Sequence, residues 1–230
     1  ILLALIGVIA YRHSTGKDLE KYEASFFDVF DTQTQIIGYA SSKEQFSEQM
    51  SLIKDKFQYY NDLYDIYHDY EGMNNIKTIN DNAGIQPVKV DEEIIELLKL
   101  GITMDEKTDG NMNIAMGSVL SIWHDYREAG SEDPYSAELP PMDELERAAE
   151  HTDIHNIVID EEASTVYLTD PDMLLDVGSI GKGYAVQKVA EYAKNELGIQ
   201  YMLFSVGGNV CAIGGHPDGS AWAVGIQNPD

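Results

Sequence analysis

The residues best placed to do chemistry lie in Leu174–Tyr184, LLDVGSIGKGY. An apolar run ends at Asp176, glycines follow at 178, 181 and 183, and Lys182 stands where a helix is predicted to begin. Glycines let backbone N–H groups approach an anion closely, a helix N-terminus adds a positive dipole end, and the ammonium supplies a full charge. The chemistry such a turn could serve is phosphate binding. The spacing is neither GxxxxGK(S/T) nor GxGxxG. A strand-to-helix turn that needs glycine for tight packing accounts for the same residues, so spacing alone leaves both readings open.

Other reactive side chains are less suggestive. His151 and His155 are four apart, a spacing that can bind zinc on a helix, but no third ligand follows and a helix end falls between them. Both read as surface residues. Glu92-Glu93, Asp105-Glu106 and Glu161-Glu162 are adjacent pairs, which do not face one another on a helix. Gly207-Gly208-Asn209 follows an apolar run and implies a close approach of backbone or ligand. Trp123, His124 and Tyr126 read as core packing with polar tips. The single cysteine, Cys211, excludes an internal disulfide and any CxxC motif, and its apolar setting predicts a small buried side chain.

These residues need elements to position them. Phe26–Tyr39 has a strand-like composition. Phe46, Met50, Ile53, Phe57, Tyr60 and Tyr64 recur at helical spacing, with Ser41 and Glu44 as a possible capping box. Helices are also predicted over Asp91–Met104, with Asp91 as N-cap, over Asp143–Glu150 behind Pro140 and Pro141, and over Gly181–Leu197. His155–Asp160 and Thr165–Leu168 alternate like a hairpin; Met173–Val177, Tyr201–Val206 and Ala221–Gln227 read as further strands, with a turn at His216–Ser220. This interleaving predicts an α+β fold, a mixed sheet with packed helices, and not a doubly wound one.

Forty acids against fifteen bases give a formal charge of −25, which argues against nucleic-acid binding and against anionic membrane surfaces. An anionic ligand would need a local positive feature, and the Lys182 turn is one. Ile1–Ala10, ILLALIGVIA, is continuously apolar and polar residues follow it. We expect residues 1–16 to belong to a signal peptide or a membrane anchor, and residues 17–230 to form one domain of an exported or membrane-anchored, extracytoplasmic protein.

LLDVGSIGKGYAVQKVAEYAKNELGI followed by SVGGNV resembles the ApbE family's motif, D-x-G-A-I-x-K-G-Y-A and then V-x-x-G-G-N. FDVFDTQTQIIGYA is similar to the family's opening strand, and DYEGMNNIKTIN to its segment ending in S-x-x-x-x-x-N. TDGNMNIAMGSVLSIWHDYR is similar to G-x-F-D-I-T-V-G-P-L-x-x-L-W, and WAVGIQNP to W-x-V-G-I-Q-x-P. The blocks occur in order over residues 26–230. The resemblance implies a T-fold-type α+β domain and a magnesium-dependent FAD:protein FMN transferase. Its substrate would be FAD, and its partner an acceptor flavoprotein that receives FMN on a Ser or Thr hydroxyl. An FAD pyrophosphatase or a non-catalytic FAD-binding protein is the alternative.

On the matching positions, the resemblance implies that Asp176 and Lys182 contact FAD. It implies that the Ser179 carbonyl ligates Mg²⁺, that Tyr70 packs on the flavin, and that Phe30 takes a place usually held by Met. Asn111, Met112 and Asn113 lie where the family's backbone lines the cofactor pocket. Asn113 and Ala115 replace the Asp and Thr of the usual D-I-T. The Asp and Thr expected to complete the magnesium site fall beyond residue 230. No side chain is singled out as catalytic.

Overall fold

A computed structural model describes residues 19–226 and 228; the apolar run at the start lies outside the described residues. Among the described residues no helix is long and apolar enough to cross a membrane. The fold is α+β, with its strands in two sheets. Contacts divide the chain into two compact units, one holding the described residues up to Gln58 together with those from Ala185 onward, the other holding Tyr59–Tyr184.

The first unit is built on strands β1 (Glu20–Val29), β2 (Thr32–Ala40), β6 (Met202–Val206) and β7 (Asn209–Ile213), in the order β1-β2-β6-β7 with every pairing antiparallel. Alternation decides the faces: β2 buries Thr34, Ile36 and Ala40, and β6 buries Met202, Phe204 and Val206. Helix α1 (Lys43–Tyr64) contributes Phe46, Ile53 and Phe57 to this core. Phe57 meets Phe204 edge-on at 6.2 Å, a geometry that aromatic rings favour beyond the area they bury. The side-chain cap sits one residue later than the sequence suggested and is not a reciprocal box: Ser42 Oγ accepts from the Gln45 N–H, and Gln45 Oε1 accepts from the Ser41 N–H.

The second unit holds α2 (Ile76–Asp81), β3 (Val88–Lys89), α3 (Glu92–Lys107), α4 (Gly117–Glu132), α5 (Met142–Ala149), β4 (Ile157–Asp160), β5 (Thr165–Leu168) and the first turn of α6 (Gly181–Asn195). Its sheet runs β3-β5-β4, again antiparallel. Buried Ile76, Ile79, Ile94, Leu97, Leu98, Ile114 and Leu168 make its core. Asp91 occupies the N-cap position of α3 but makes no side-chain cap bond; its carboxylate accepts from the Tyr59 hydroxyl instead, at 3.2 Å.

Two predicted strands are absent. Met173–Val177 is not in a sheet, and Ala221–Ile226 has no strand partner among the described residues. Alternating apolar residues make a strand only where a neighbour offers backbone groups. Two helices, α2 and α4, were not predicted. Cys211 is half-buried and not enclosed as expected, because its strand β7 lies at the sheet edge.

Candidate active site

The segment carrying Asp176 is held by everything except a sheet. Its N–H donates to the Ile114 carbonyl at 2.9 Å, and the Gly117 N–H donates to the Leu174 carbonyl at 3.0 Å. Ser118 Oγ donates to the Asp172 carbonyl at 2.8 Å and accepts from the Leu174 N–H at 3.1 Å. Asn80 pairs with Leu175 as a strand neighbour would: Oδ1 accepts from its N–H at 2.8 Å, and Nδ2 donates to its carbonyl at 3.0 Å. Gly117 is required by this packing, since a Cβ there would lie 2.5 Å from the Leu174 carbonyl oxygen.

The turn follows directly. Asp176 Oδ1 accepts from the Gly178 N–H at 2.8 Å, and the Val177 carbonyl accepts from the N–H groups of Ile180 and Gly181 at 3.1 and 2.7 Å. Helix α6 starts at Gly181, so Lys182 stands in its first turn as the sequence suggested. The N–H groups of Ser179, Lys182 and Gly183 have no acceptor among the described residues, and the Lys182 ammonium has no ion-pair partner among them. Free donors and a free cation therefore share one turn in a chain of formal charge −25.

The loop after α3 comes to the same place. Met112 Sδ accepts from Ser179 Oγ at 3.6 Å. Thr108 shapes the loop: its Oγ1 accepts from the Met112 N–H at 3.0 Å, and its carbonyl accepts from Asn111 Nδ2 at 2.7 Å. Asn113 spends its side chain internally, Oδ1 accepting from the Ala115 N–H at 2.7 Å and Nδ2 donating to the Thr152 carbonyl at 2.9 Å. A carboxylate could not make the second bond, so an amide suits this position. Ala115 is fully buried, where a hydroxyl would need a partner.

Tyr70 is not with them. It lines a separate cavity of about 550 Å³ with Asp69, Met73 and Lys89, and its hydroxyl donates to Asp65 Oδ2 at 2.7 Å. Tyr67, three positions earlier, shares a cavity with Asp176. That cavity, about 470 Å³, is also lined by Trp123, His124, Arg127 and Leu139. Trp123 is 42% exposed, so the core-packing reading of this stretch fails; on α4 it forms a cavity wall.

Asp65 organises both tyrosines. Burial works to raise its carboxyl pKa, but hydrogen bonds from the backbone of Tyr67, the Tyr70 hydroxyl and the side chain and backbone of His68 outweigh that and hold it below the usual carboxylate range. On α4, Arg127 Nη2 donates to His124 Nδ1 at 2.8 Å, while His124 Nε2 faces Glu128 Oε1 at 3.1 Å. Neither Tyr67 nor Arg127 was singled out from the sequence. The signal available was the i, i+3 and i, i+4 spacing of His124, Arg127 and Glu128 on one helix.

Phe30 belongs to the other unit, at the tip of the β1-β2 hairpin. It and Asp31 are the two central residues of the turn, with φ of 54° and 49°. A two-residue hairpin of this hand needs positive φ at both positions, and a bulky residue there is strained, as side chains at functional sites often are. Gly207-Gly208 turns the neighbouring β6-β7 hairpin, and the Gly207 N–H donates to the Gln33 carbonyl at 3.1 Å.

The two histidines of zinc-like spacing do not act together. His151 Nδ1 pairs with Asp170 Oδ2 at 2.9 Å, a bond that raises the His151 pKa. Asp172 completes that cluster of possible ligands, and His155 is not part of it.

Comparison with known proteins gives this geometry a context. The model of the ApbE family matches residues 30–230. A protein of Escherichia coli K12 named FAD:protein FMN transferase is 26% identical over 180 residues, which are 77% of this chain and 50% of that protein. A Treponema pallidum protein of the same name is 29% identical, over 67% of this chain and 44% of that protein. The chain spans about half the length of the curated relatives it matches. Among solved structures, the ApbE protein of Thermotoga maritima superposes with a TM-score of 0.75 at 25% identity, covering 91% of this chain and 64% of that one. The flavin transferase ApbE of Vibrio cholerae, at 20% identity and a TM-score of 0.74, shares the fold, over 92% of this chain and 65% of its own.

Proposed function

The chain belongs to the ApbE family, and on that footing we propose that it serves a flavin transferase, moving FMN from FAD to a Ser or Thr hydroxyl of an acceptor flavoprotein. One observation carries the reading: the N–H groups of Ser179, Lys182 and Gly183 and the Lys182 ammonium, none with a partner among the described residues, lie in one turn. A diphosphate needs such donors, and phosphoryl transfer depends mainly on positioning and charge neutralisation.

In this reading FAD lies with its diphosphate at the turn. The acceptor hydroxyl oxygen bonds to the phosphorus of the FMN half as the bond to the AMP oxygen breaks. AMP leaves, the hydroxyl proton is released, and FMN stays attached through a phosphoester. Lys182 and the α6 end hold the negative charge on the phosphate oxygens. Asp176, fixed by its bond to Gly178, and the Met112 loop shape the adjoining pocket.

Magnesium is part of the proposal. The Ser179 carbonyl accepts no hydrogen bond among the described residues, which suits it as one ligand. Bound there with the substrate's phosphate oxygens, the metal would supply further charge neutralisation.

The test is incubation of the intact protein with FAD, Mg²⁺ and a candidate acceptor, read by intact mass. An FMN adduct on the acceptor, with AMP released in equal amount, is the expected result. FMN and AMP released without an adduct would replace the transferase with an FAD pyrophosphatase, and FAD bound but unchanged would replace it with a storage protein. The apolar run Ile1–Ala10 further supports an exported or membrane-anchored location; recovery of the protein in the cytosolic fraction of its own cells would overturn that part alone.

A further inference from the structure

The 470 Å³ cavity beside Asp176 contains an arrangement that charge alone would not produce. Arg127 stands near Glu128, Glu138 and Asp176, in a chain with forty acids, yet it makes no ion pair among the described residues. Its guanidinium donates instead to His124 Nδ1, at 2.8 Å.

A guanidinium has only donors, so His124 Nδ1 must carry its lone pair and not a proton. The ring's hydrogen is then on Nε2, which donates to Glu128 Oε1 at 3.1 Å. The neutral imidazole is thus a spacer. It anchors the cation through an uncharged acceptor and occupies the adjacent carboxylate with its other nitrogen. Tyr67 packs against the same imidazole, with ring centroids 5.1 Å apart and 31° between planes, and its hydroxyl approaches Nδ1 at 3.4 Å. One histidine therefore sets both the aromatic wall and the cation of the cavity. With Asp176 and Glu138 also lining it, the cavity could hold an anion only against such a charge.

We infer that Arg127 contacts an anionic oxygen of a phosphorylated aromatic ligand in this cavity, and that His124 is the residue that positions it. The ligand class rests on the flavin-dinucleotide reading above. Tyr67 and Trp123 supply aromatic surfaces for a ring system, and Arg127 supplies the contact that separates a phosphorylated ligand from its unphosphorylated counterpart.

The test compares FAD with riboflavin, which has the flavin ring but no phosphate. Dissociation constants are measured on the intact protein and on Arg127→Gln, His124→Leu and His124→Asn, with thermal unfolding as a check on folding. Losing one charge-assisted hydrogen bond weakens FAD about tenfold in Arg127→Gln and leaves riboflavin unchanged. His124→Leu behaves the same way. His124→Asn keeps an acceptor oxygen near the Nδ1 position and regains most of the FAD affinity. Unchanged FAD affinity in Arg127→Gln, or an equal loss for riboflavin, overturns the inference and leaves the transferase reading standing. So does a His124→Asn protein as impaired as His124→Leu, which would mean that the ring acts only as bulk. A wild-type protein that binds no FAD overturns the reading and the inference together.

Discussion

Two glycine-rich turns look alike in the sequence and differ in what they ask of glycine. At Gly207-Gly208 the backbone itself makes the demand: φ is 53° and 90°, and a Cβ on Gly207 would lie 2.6 Å from Thr32 Oγ1. At the turn after Asp176 neither Gly178 nor Gly181 has positive φ, and a Cβ on Gly181 would meet only ordinary contacts, the nearest at 3.6 Å from Tyr64. The fold therefore requires glycine at the first turn and tolerates a side chain at Gly181. A methyl at Gly181 would point toward the Tyr64 and Val177 side chains. Glycine density marks backbone strain in one case and no such demand in the other.

Substitutions can break or sharpen this contrast. Gly207→Ala combines positive φ with a close contact and should cost about 3 kcal/mol of stability, read as a lowered denaturation midpoint; an unchanged midpoint would remove the distinction. Lys182→Ala should leave the midpoint where it is and slow FMN transfer about a hundredfold. Wild-type turnover and FAD affinity in that protein would show that the turn holds no phosphate.

Asp65→Asn should cost about 2 kcal/mol at neutral pH, because an amide cannot accept every bond the carboxylate does. The folded-state pKa of Asp65 lies below the unfolded one. Its stabilisation is thus present above the ordinary carboxylate value of about 3.9 and lost as pH falls through the folded pKa. Unfolding midpoints of wild type and Asp65→Asn should accordingly converge in acid; a constant gap down to pH 2 would refute the assignment. The smallest effect is expected at Gly181→Ala, where stability stays the same or rises by up to about 1 kcal/mol, read by calorimetry; a clear loss of stability would show that this turn, too, requires glycine.

Much of this was legible in the residues. Periodicity placed α1, α3 and α6 because each has a clear apolar stripe or capping signal, and LLDVGSIGKGY located the turn that opens α6 at Gly181. Helix α4 was missed: it opens on a glycine with no side-chain cap, and half its length is polar. With it went Trp123 and Arg127, since a cavity wall and a core stripe share the same aromatic composition. Tyr67 went unremarked because motif matching pointed to Tyr70, whereas the structure shows the two tyrosines three positions apart lining different cavities and sharing Asp65. The strand expected at Met173–Val177 failed for a similar reason: its hydrogen-bond partners are side chains and loop groups distant in sequence.

Where sheet neighbours hold a backbone, its release waits on many bonds breaking together; here the Leu175 amide is guarded by the carboxamide of Asn80 alone. A single rotamer change at position 80 frees it, so its hydrogen should exchange with solvent through small excursions, well before the chain unfolds. The Asp176 turn itself stays tied through its own N–H to Ile114, and through Leu174 to Gly117 and Ser118, so Asn80 guards one early-exchanging amide in an otherwise anchored segment.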